Sequence, residues 1–260
     1  MKTQILYEDS DILVIHKPAG IATQAARIGQ MDVVSELKNY LAAQSRRDGQ
    51  PGKTPYLGVI HRLDQPVEGL LVFGKTRLAS AVLNEELKNK SLHKRYFAAV
   101  CGKPSLQEDQ VMNYLVRDGS MARVTASSRA GGKKAVMHYR LLDTCNVEIG
   151  ARHDTKEAWG APVQVSLLDV SLLTGRFHQI RVQLSHMGCP MLGDQKYGNE
   201  MSDLISNSLL IGNTALCAYH LDFAHPESGR TMEYNVSPEN KAFTLFRNFF
   251  PETVHTNPKH

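Results

Sequence analysis

The chain has 260 residues, 42% hydrophobic and 22% charged, an ordinary globular balance with no disordered or fibrous bias. No run approaches the roughly 18 to 20 apolar residues of a membrane span, and residues 1–9 lack the basic-then-apolar layout of a secretory leader, so a soluble, cytoplasmic protein is expected. The formal net charge is only +4, but residues 75–140 carry 13 Lys and Arg against 5 Asp and Glu, a net of +8 that leaves −4 elsewhere. A basic middle in a slightly acidic frame suits a one-faced polyanion footprint.

The cysteines Cys101, Cys145, Cys189 and Cys217 are widely spaced and form no CxxC pair, and no histidines fall in an HxxxH or HExxH arrangement. That spacing argues for reduced core thiols and against a disulfide framework or a zinc site.

In chain order, two apolar runs at residues 4–7 and 12–15 read as strands around the acidic turn Glu8-Asp9-Ser10-Asp11, and Lys17-Pro18-Ala19-Gly20 stops the second. Asp32 caps a helix with Val33, Leu37, Tyr40 and Leu41 on one face. Residues 46–54 read as a surface loop. Residues 56–60 and 70–74 read as strands flanking His61-Arg62-Leu63-Asp64-Gln65-Pro66-Val67-Glu68-Gly69. Thr76 caps a helix that turns Leu78, Val82, Leu83 and Leu87 inward. Further strands are expected at 96–100, 136–142, 163–173 and 215–223. A helix is expected over 177–187 ending at Gly188, and a closing helix over 238–250 with Pro238 in its first turn. Strands with scattered helices, without strict βαβ alternation, predict an α+β fold. With no repeat and no long linker, one catalytic domain over residues 1–260 is expected.

A carboxylate on a loop at strand ends is held by a rigid scaffold yet reachable by substrate, which makes Asp64 the leading catalytic candidate. Taken alone, those few letters describe an ordinary turn aspartate beside Gln-Pro just as well. However, Gly58-x-x-His61-Arg62-Leu63-Asp64 followed by Gly69-Leu70-Leu71-Val72-Phe73 resembles the signature loop of the RluA family of pseudouridine synthases. Other segments resemble further motifs of that family, in order over residues 4–238. They are Ile5-Leu6-Tyr7-Glu8-Asp9 with Lys17-Pro18-Ala19-Gly20, then Lys94-Arg95-Tyr96-Phe97-Ala98, then Thr174-Gly175-Arg176-Phe177-His178-Gln179-Ile180-Arg181-Val182. Gly193-Asp194-x-x-Tyr197-Gly198 and Ala218-Tyr219-His220-Leu221 complete the series. Two departures stand out: Val67-Glu68 where Thr-Ser is commonest, and Phe177 where threonine is usual.

The resemblance implies the pseudouridine synthase fold, a mixed and largely antiparallel central sheet with peripheral helices and loops. It implies an RNA isomerase that needs no metal or organic cofactor and acts on a flipped uridine in ribosomal or transfer RNA. Catalysis would fall to Asp64 as nucleophile, Tyr96 stacked on the uracil and Arg181 as the cation keeping the carboxylate charged against burial. Substrate binding would fall to Arg62 in the gap left by the extruded nucleotide, to Ile180 as an apolar pocket wall, and to Lys94 and His61, the latter in a structural role. Two basic sets would meet phosphates: Lys88, Lys90, Lys94 and Arg95, then Arg123, Arg129, Lys133 and Lys134 around the Gly131-Gly132 loop. The match opens near Met1, so a stand-alone monomeric catalytic domain without an accessory RNA-binding domain in front is expected, with residues 150–161 as a local insertion. The competing reading from another class is an RNA-binding or RNA-chaperone protein with a vestigial pocket. A third, a carboxylate-based glycoside or nucleoside hydrolase, needs a second carboxylate, for which Glu68 is the nearby candidate.

Overall fold

Residues 12–17 are buried along their whole length, as a strand covered on both faces must be. The computed structural model describes residues 1–25, 29–47, 54–128, 131–148, 162–247 and 249–250. The strands are β1 (Gln4–Glu8), β2 (Ile12–Lys17), β3 (Gly58–Val59), β4 (Glu68–Gly74), β5 (His93–Cys101), β6 (Glu108–Asp118), β7 (Met121–Thr125), β8 (Lys133–Val147), β9 (Val163–Leu172), β10 (Leu216–Ala224) and β11 (Thr231–Asn235). The helices are α1 (Val33–Arg47), α2 (Arg77–Asn89), α3 (Gln179–His186) and α4 (Glu200–Ser208), and a 3-10 helix covers Lys241–Phe246. This is the expected α+β class with largely antiparallel pairing.

The chain gathers into two compact units, one of Met1–Lys94 with Ala218–Val236, the other of Arg95–Cys217 with Ser237–His260. In the first, β2 pairs antiparallel with both β1 and β4, β3 adds to β4, and β11 pairs with β10. Asp9 shapes the acidic turn between β1 and β2, its Oδ1 accepting the Asp11 and Ile12 N–H groups at 2.8 Å each. The core joins Ile12, Val14, Leu70 and Val72 to Ala79 and Leu83 of α2 and to Leu221 and Phe223 of β10. Both expected caps are present: Asp32 Oδ1 accepts Ser35 N–H at 2.6 Å, and Thr76 Oγ1 accepts Ala79 N–H at 3.0 Å.

Leu78 does not turn inward; it is 76% exposed. The inward face of α2 is instead Ala79, Ser80 and Leu83, rotated because Ser80 packs where Gly58 and Gly74 pair across β3 and β4. A Cβ on either glycine would come within 2.3 Å of the Ser80 hydroxyl oxygen.

In the second unit the strand order is β5-β9-β8-β6-β7, antiparallel throughout. Its smaller cluster joins Leu115, Ala122 and Ala135 to Val182 of α3 and to Tyr197. The expected helix over 177–187 begins only at Gln179, because His178 takes a left-handed conformation with φ 54°. Gly188, with φ 80°, closes it as expected: its N–H reaches the Ser185 carbonyl at 3.0 Å and the next N–H, of Cys189, reaches Leu184 at 3.0 Å. The expected closing helix contracts to the 3-10 turn at Lys241–Phe246, started by Asn240, whose Oδ1 accepts Ala242 N–H at 3.0 Å. The aromatic residues Phe243, Phe246, Phe249 and Phe250 give little helix propensity there. The β6–β7 hairpin, β11 and α4 are additions to the expected elements, although α4 carries a sequence signal in the Asn199–Ser202 capping box.

The loop expected over 46–54 lies mostly outside the described residues, as do Arg129 and the insertion at 150–161. Among the described residues no helix is long and apolar enough to cross a membrane.

Candidate active site

Asp64 sits on the connection between β3 and β4, where the chain turns at Gln65-Pro66 and the Val67 N–H donates to the Asp64 carbonyl at 3.1 Å. Exposure alternates along the loop. His61 and Leu63 are buried, Arg62 and Gln65 are exposed, and Asp64 is half-buried. Asp64 is thus neither sealed in nor fully exposed, on a backbone anchored on both sides.

The anchors come from residues 17–23. Thr23 Oγ1 donates to the Leu63 carbonyl at 2.9 Å and accepts the Leu63 N–H at 3.1 Å. The Gly20 N–H donates to the Gln65 carbonyl at 2.8 Å, and Gln65 Nε2 donates back to the Gly20 carbonyl at 3.1 Å. Beneath these lies Lys17, fully buried, its ammonium donating to the carbonyls of Ile21 at 2.7 Å, Pro18 at 3.0 Å and Gln65 at 3.3 Å. Three acceptors match the three donors of an ammonium. Burial pushes Lys17 down to about 7, while the carboxylates of Asp64 and Glu68 pull the other way.

Sequence reasoning misses the placement of Lys17 beside the Asp64 loop, because Lys17-Pro18-Ala19-Gly20 reads only as the stop of a strand. Its signal is a lysine extending a wholly apolar strand just before Pro-Ala-Gly. The departure Val67-Glu68 lies in the same region: both side chains are buried, and Glu68 adds a second negative charge near the Lys17 ammonium.

His61 accepts the Val72 N–H on Nε2 at 3.4 Å, which leaves the proton of the neutral ring on Nδ1. That Nδ1 has no hydrogen-bond partner among the described residues. Burial, and next the positive charge of Lys94, hold the imidazole well below its ordinary value, so the ring is uncharged. Lys94 itself is pushed down to about 8 by burial.

In the second unit, Tyr96 lies on β5 opposite Val170 of β9 and is 5% exposed. Ile180 and Arg181 occupy the first turn of α3 and are buried. The entry of α3 is held by Gln179, whose Oε1 accepts the Thr174 hydroxyl at 2.8 Å and the Arg176 N–H at 3.0 Å, while Nε2 donates to the Val136 carbonyl at 3.1 Å.

Arg181 makes a two-pronged pair with Asp194, Nε to Oδ2 at 2.7 Å and one terminal nitrogen to Oδ1 at 2.6 Å, with both side chains buried. Asp194 Oδ1 also accepts the N–H groups of Lys196 at 3.0 Å and Tyr197 at 3.2 Å, and the Tyr197 ring lies 5.2 Å from the guanidinium carbon. The motif Gly193-Asp194-x-x-Tyr197 therefore orients the guanidinium, a role that sequence spacing does not reveal. Arg62, His61, Asp64 and Lys94 thus belong to the first unit, and Tyr96, Ile180 and Arg181 to the second.

Cys101 and Cys189 are buried thiols; burial, and secondarily the neighbouring Cys189, push Cys101 up to about 11, far from a reactive thiolate. No cluster of His, Cys, Asp and Glu suited to a metal ion occurs among the described residues.

The site combines an aspartate on an anchored, half-buried loop with a buried lysine, in an α+β fold, and comparison with known proteins gives the class. Residues 11–186 match the family model described as RNA pseudouridylate synthase. The uncharacterized RNA pseudouridine synthase YhcT of Bacillus subtilis is 35% identical over 85% of this chain and 64% of its own length. Ribosomal large subunit pseudouridine synthase D of Zymomonas mobilis is 32% identical over 94% of this chain and 72% of its own. Ribosomal large subunit pseudouridine synthase C of Rickettsia bellii is 33% identical over 75% of this chain, which spans only 57% of that relative. The structure of human RNA pseudouridylate synthase domain containing 4 superposes with a TM-score of 0.69 at 21% identity, covering 94% of this chain and 93% of that one, a likeness of fold. The chain belongs to the RNA pseudouridylate synthase family, as the ordered motifs imply.

Proposed function

We propose that this protein isomerises uridine to pseudouridine in structured RNA, with ribosomal RNA as the leading substrate class. Ribosomal RNA is favoured over transfer RNA because relatives at 32% and 33% identity are named as ribosomal large subunit synthases. The reaction breaks the bond from uracil N1 to the ribose anomeric carbon, joins C5 to that carbon, and removes the C5 proton while the freed N1 takes one up. It is redox-neutral and can proceed with one ionised carboxylate beside the sugar.

Asp64 is assigned that carboxylate. The observation carrying this assignment is its half-buried position on a loop anchored at Leu63 and Gln65. It acts either by attacking the anomeric carbon or in a route through an elimination intermediate. Tyr96 is assigned to stack on the uracil and take part in proton transfer at C5. Ile180 is assigned the apolar wall that keeps water from the detached base. Arg181, oriented by Asp194, is assigned the stabilisation of the anionic nucleophile. The exposed Arg62 is assigned the gap left by the extruded nucleotide, and Lys94 is assigned a contact to the substrate. His61, uncharged and buried, is assigned a supporting role in the loop.

The test is tritium release from ribosomal RNA transcripts carrying uridine labelled at C5. Wild type should release tritium and Asp64→Asn should release none, while both bind the RNA. Equal release from both would remove Asp64 from the reaction, and RNA binding with no release from wild type would favour the chaperone reading.

A further inference from the structure

The second unit carries an exposed aromatic–cation stack that the reaction itself does not use. Phe177, at the residue where the resemblance leads one to expect threonine, is 39% exposed. The Arg117 guanidinium carbon lies 4.5 Å from its ring centroid. The His178 ring stacks on Phe177 as well, with centroids 3.8 Å apart and planes inclined by 21°. Both ends of this stack are fixed by hydrogen bonds. Arg117 Nε donates to the Gly119 carbonyl at 3.0 Å, which holds the guanidinium at the turn between β6 and β7. The Tyr197 hydroxyl accepts the Ala122 N–H at 2.6 Å and shares a hydrogen bond with His178 Nδ1 at 2.8 Å, which locks that ring in place.

We propose that Arg117 and Phe177 form a stacking platform for an unpaired RNA base flanking the target uridine, and so help to choose the RNA sequence or shape that is modified. Three observations carry the proposal. First, a flat cation held over an aromatic ring presents the kind of surface on which splayed RNA bases stack. Second, His178 holds a left-handed conformation, φ 54°, that a residue with a side chain rarely adopts. Strain of this sort persists where the surroundings over-determine it and clusters at ligand-binding positions.

Third, the surroundings are cationic. Arg176 is tied through Nε to the Lys134 carbonyl at 2.9 Å, Lys196 reaches the Ser120 carbonyl at 2.7 Å, and Lys133 and Lys134 are exposed on β8. These groups are placed to take the phosphates on either side of a stacked base. Phe177 precedes Ile180 by three residues and Arg181 by four, about one helical turn of sequence, which matches a neighbour of the target nucleotide better than a remote docking point.

The inference rests on the RNA-acting function proposed above, and its test keeps the two apart. The probe is a single-stranded RNA oligonucleotide containing 2-aminopurine, whose fluorescence falls when the base stacks. Wild type should bind it and quench the fluorescence. Phe177→Leu and Arg117→Lys, which keep bulk and charge respectively but lose a flat surface, should weaken binding roughly 5-fold or more and lose the quenching. Phe177→Tyr should restore both. In tritium release from ribosomal RNA transcripts, KM should rise while kcat holds.

If Arg117→Lys and Phe177→Leu bind and quench like wild type, the platform is overturned, and release by wild type would leave the isomerase intact. If wild type releases no tritium but the variants still lose quenching, base stacking on Arg117 and Phe177 stands while the isomerase reading falls, and with it the place of that base beside a target uridine. Absence of binding by the wild type would overturn the platform.

Discussion

Thr23 and Leu63 bond to each other twice through one hydroxyl, which donates to the Leu63 carbonyl at 2.9 Å and accepts the Leu63 N–H at 3.1 Å. These residues are 40 apart in sequence, and the pair fixes the backbone immediately before Asp64. Thr23→Val keeps the shape and removes both bonds, leaving a buried N–H and a buried carbonyl without partners. Each such group costs about 1 to 3 kcal/mol. Thermal unfolding should show the loss, and kcat should fall as the loop loosens. Thr23→Ser should retain most of both.

The Lys17 ammonium produces a pH dependence of defined sign. Its value falls from 10.5 to about 7 on folding, so between about pH 7 and 10.5 the unfolded chain holds a proton that the folded chain has lost. Stability therefore rises with pH across that window, by at most about 1.4 kcal/mol per pH unit. Lys94, brought down to about 8, adds in the same direction from about pH 8 upward. Lys17→Met should flatten the rise of urea-unfolding free energy between pH 7 and 9. An unchanged slope would mean that the buried ammonium does not titrate there.

Asp194→Asn keeps an oxygen for the Lys196 and Tyr197 N–H groups but removes the charge opposite Arg181. Breaking a buried ion pair from one side costs about 3 to 5 kcal/mol. For a chain of this size the melting temperature should drop by about 6 to 20 °C. Because the guanidinium loses its guide, tritium release should fall further than the lost stability explains. That excess is measured well below the melting point, where the variant is folded.

Gly69 has φ 129°, and a Cβ there would lie 2.5 to 2.7 Å from the Ala218 backbone. Backbone cannot retreat as a side-chain tip can. Gly69→Ala combines this clash with a strained conformation and should cost more than about 3 kcal/mol. Little folded protein should be recovered at 37 °C, whereas Gly119→Ala, with φ 56° and nothing within 4 Å of the added carbon, should fold with a modest loss.

Much of the fold is legible in local pattern. The apolar runs at 12–15 and 70–74 form β2 and β4 because strands covered on both faces must be apolar throughout. Asp32 and Thr76 cap helices as expected because a cap depends on residues only three apart. The strand β6 escapes such reading because most of its residues are exposed or half-buried; it is held by pairing with β8 on one side and β7 on the other, and pairing leaves no hydrophobic period. Leu78 misleads because a stripe of leucines looks amphipathic whether or not a serine is the residue that fits against two glycines.

Order and spacing along the chain were enough to establish the family, the class of fold and the candidacy of Asp64, Tyr96 and Arg181, since motifs and strand-length apolar runs are properties of neighbours in sequence. What surrounds those groups was settled only by folding. The Lys17 ammonium came to lie under the loop of Asp64, Arg181 locked onto Asp194, and Arg117 stacked on Phe177. Electrostatic fields and ring contacts act through space between residues far apart along the chain, so their partners emerge only once the backbone has taken its shape.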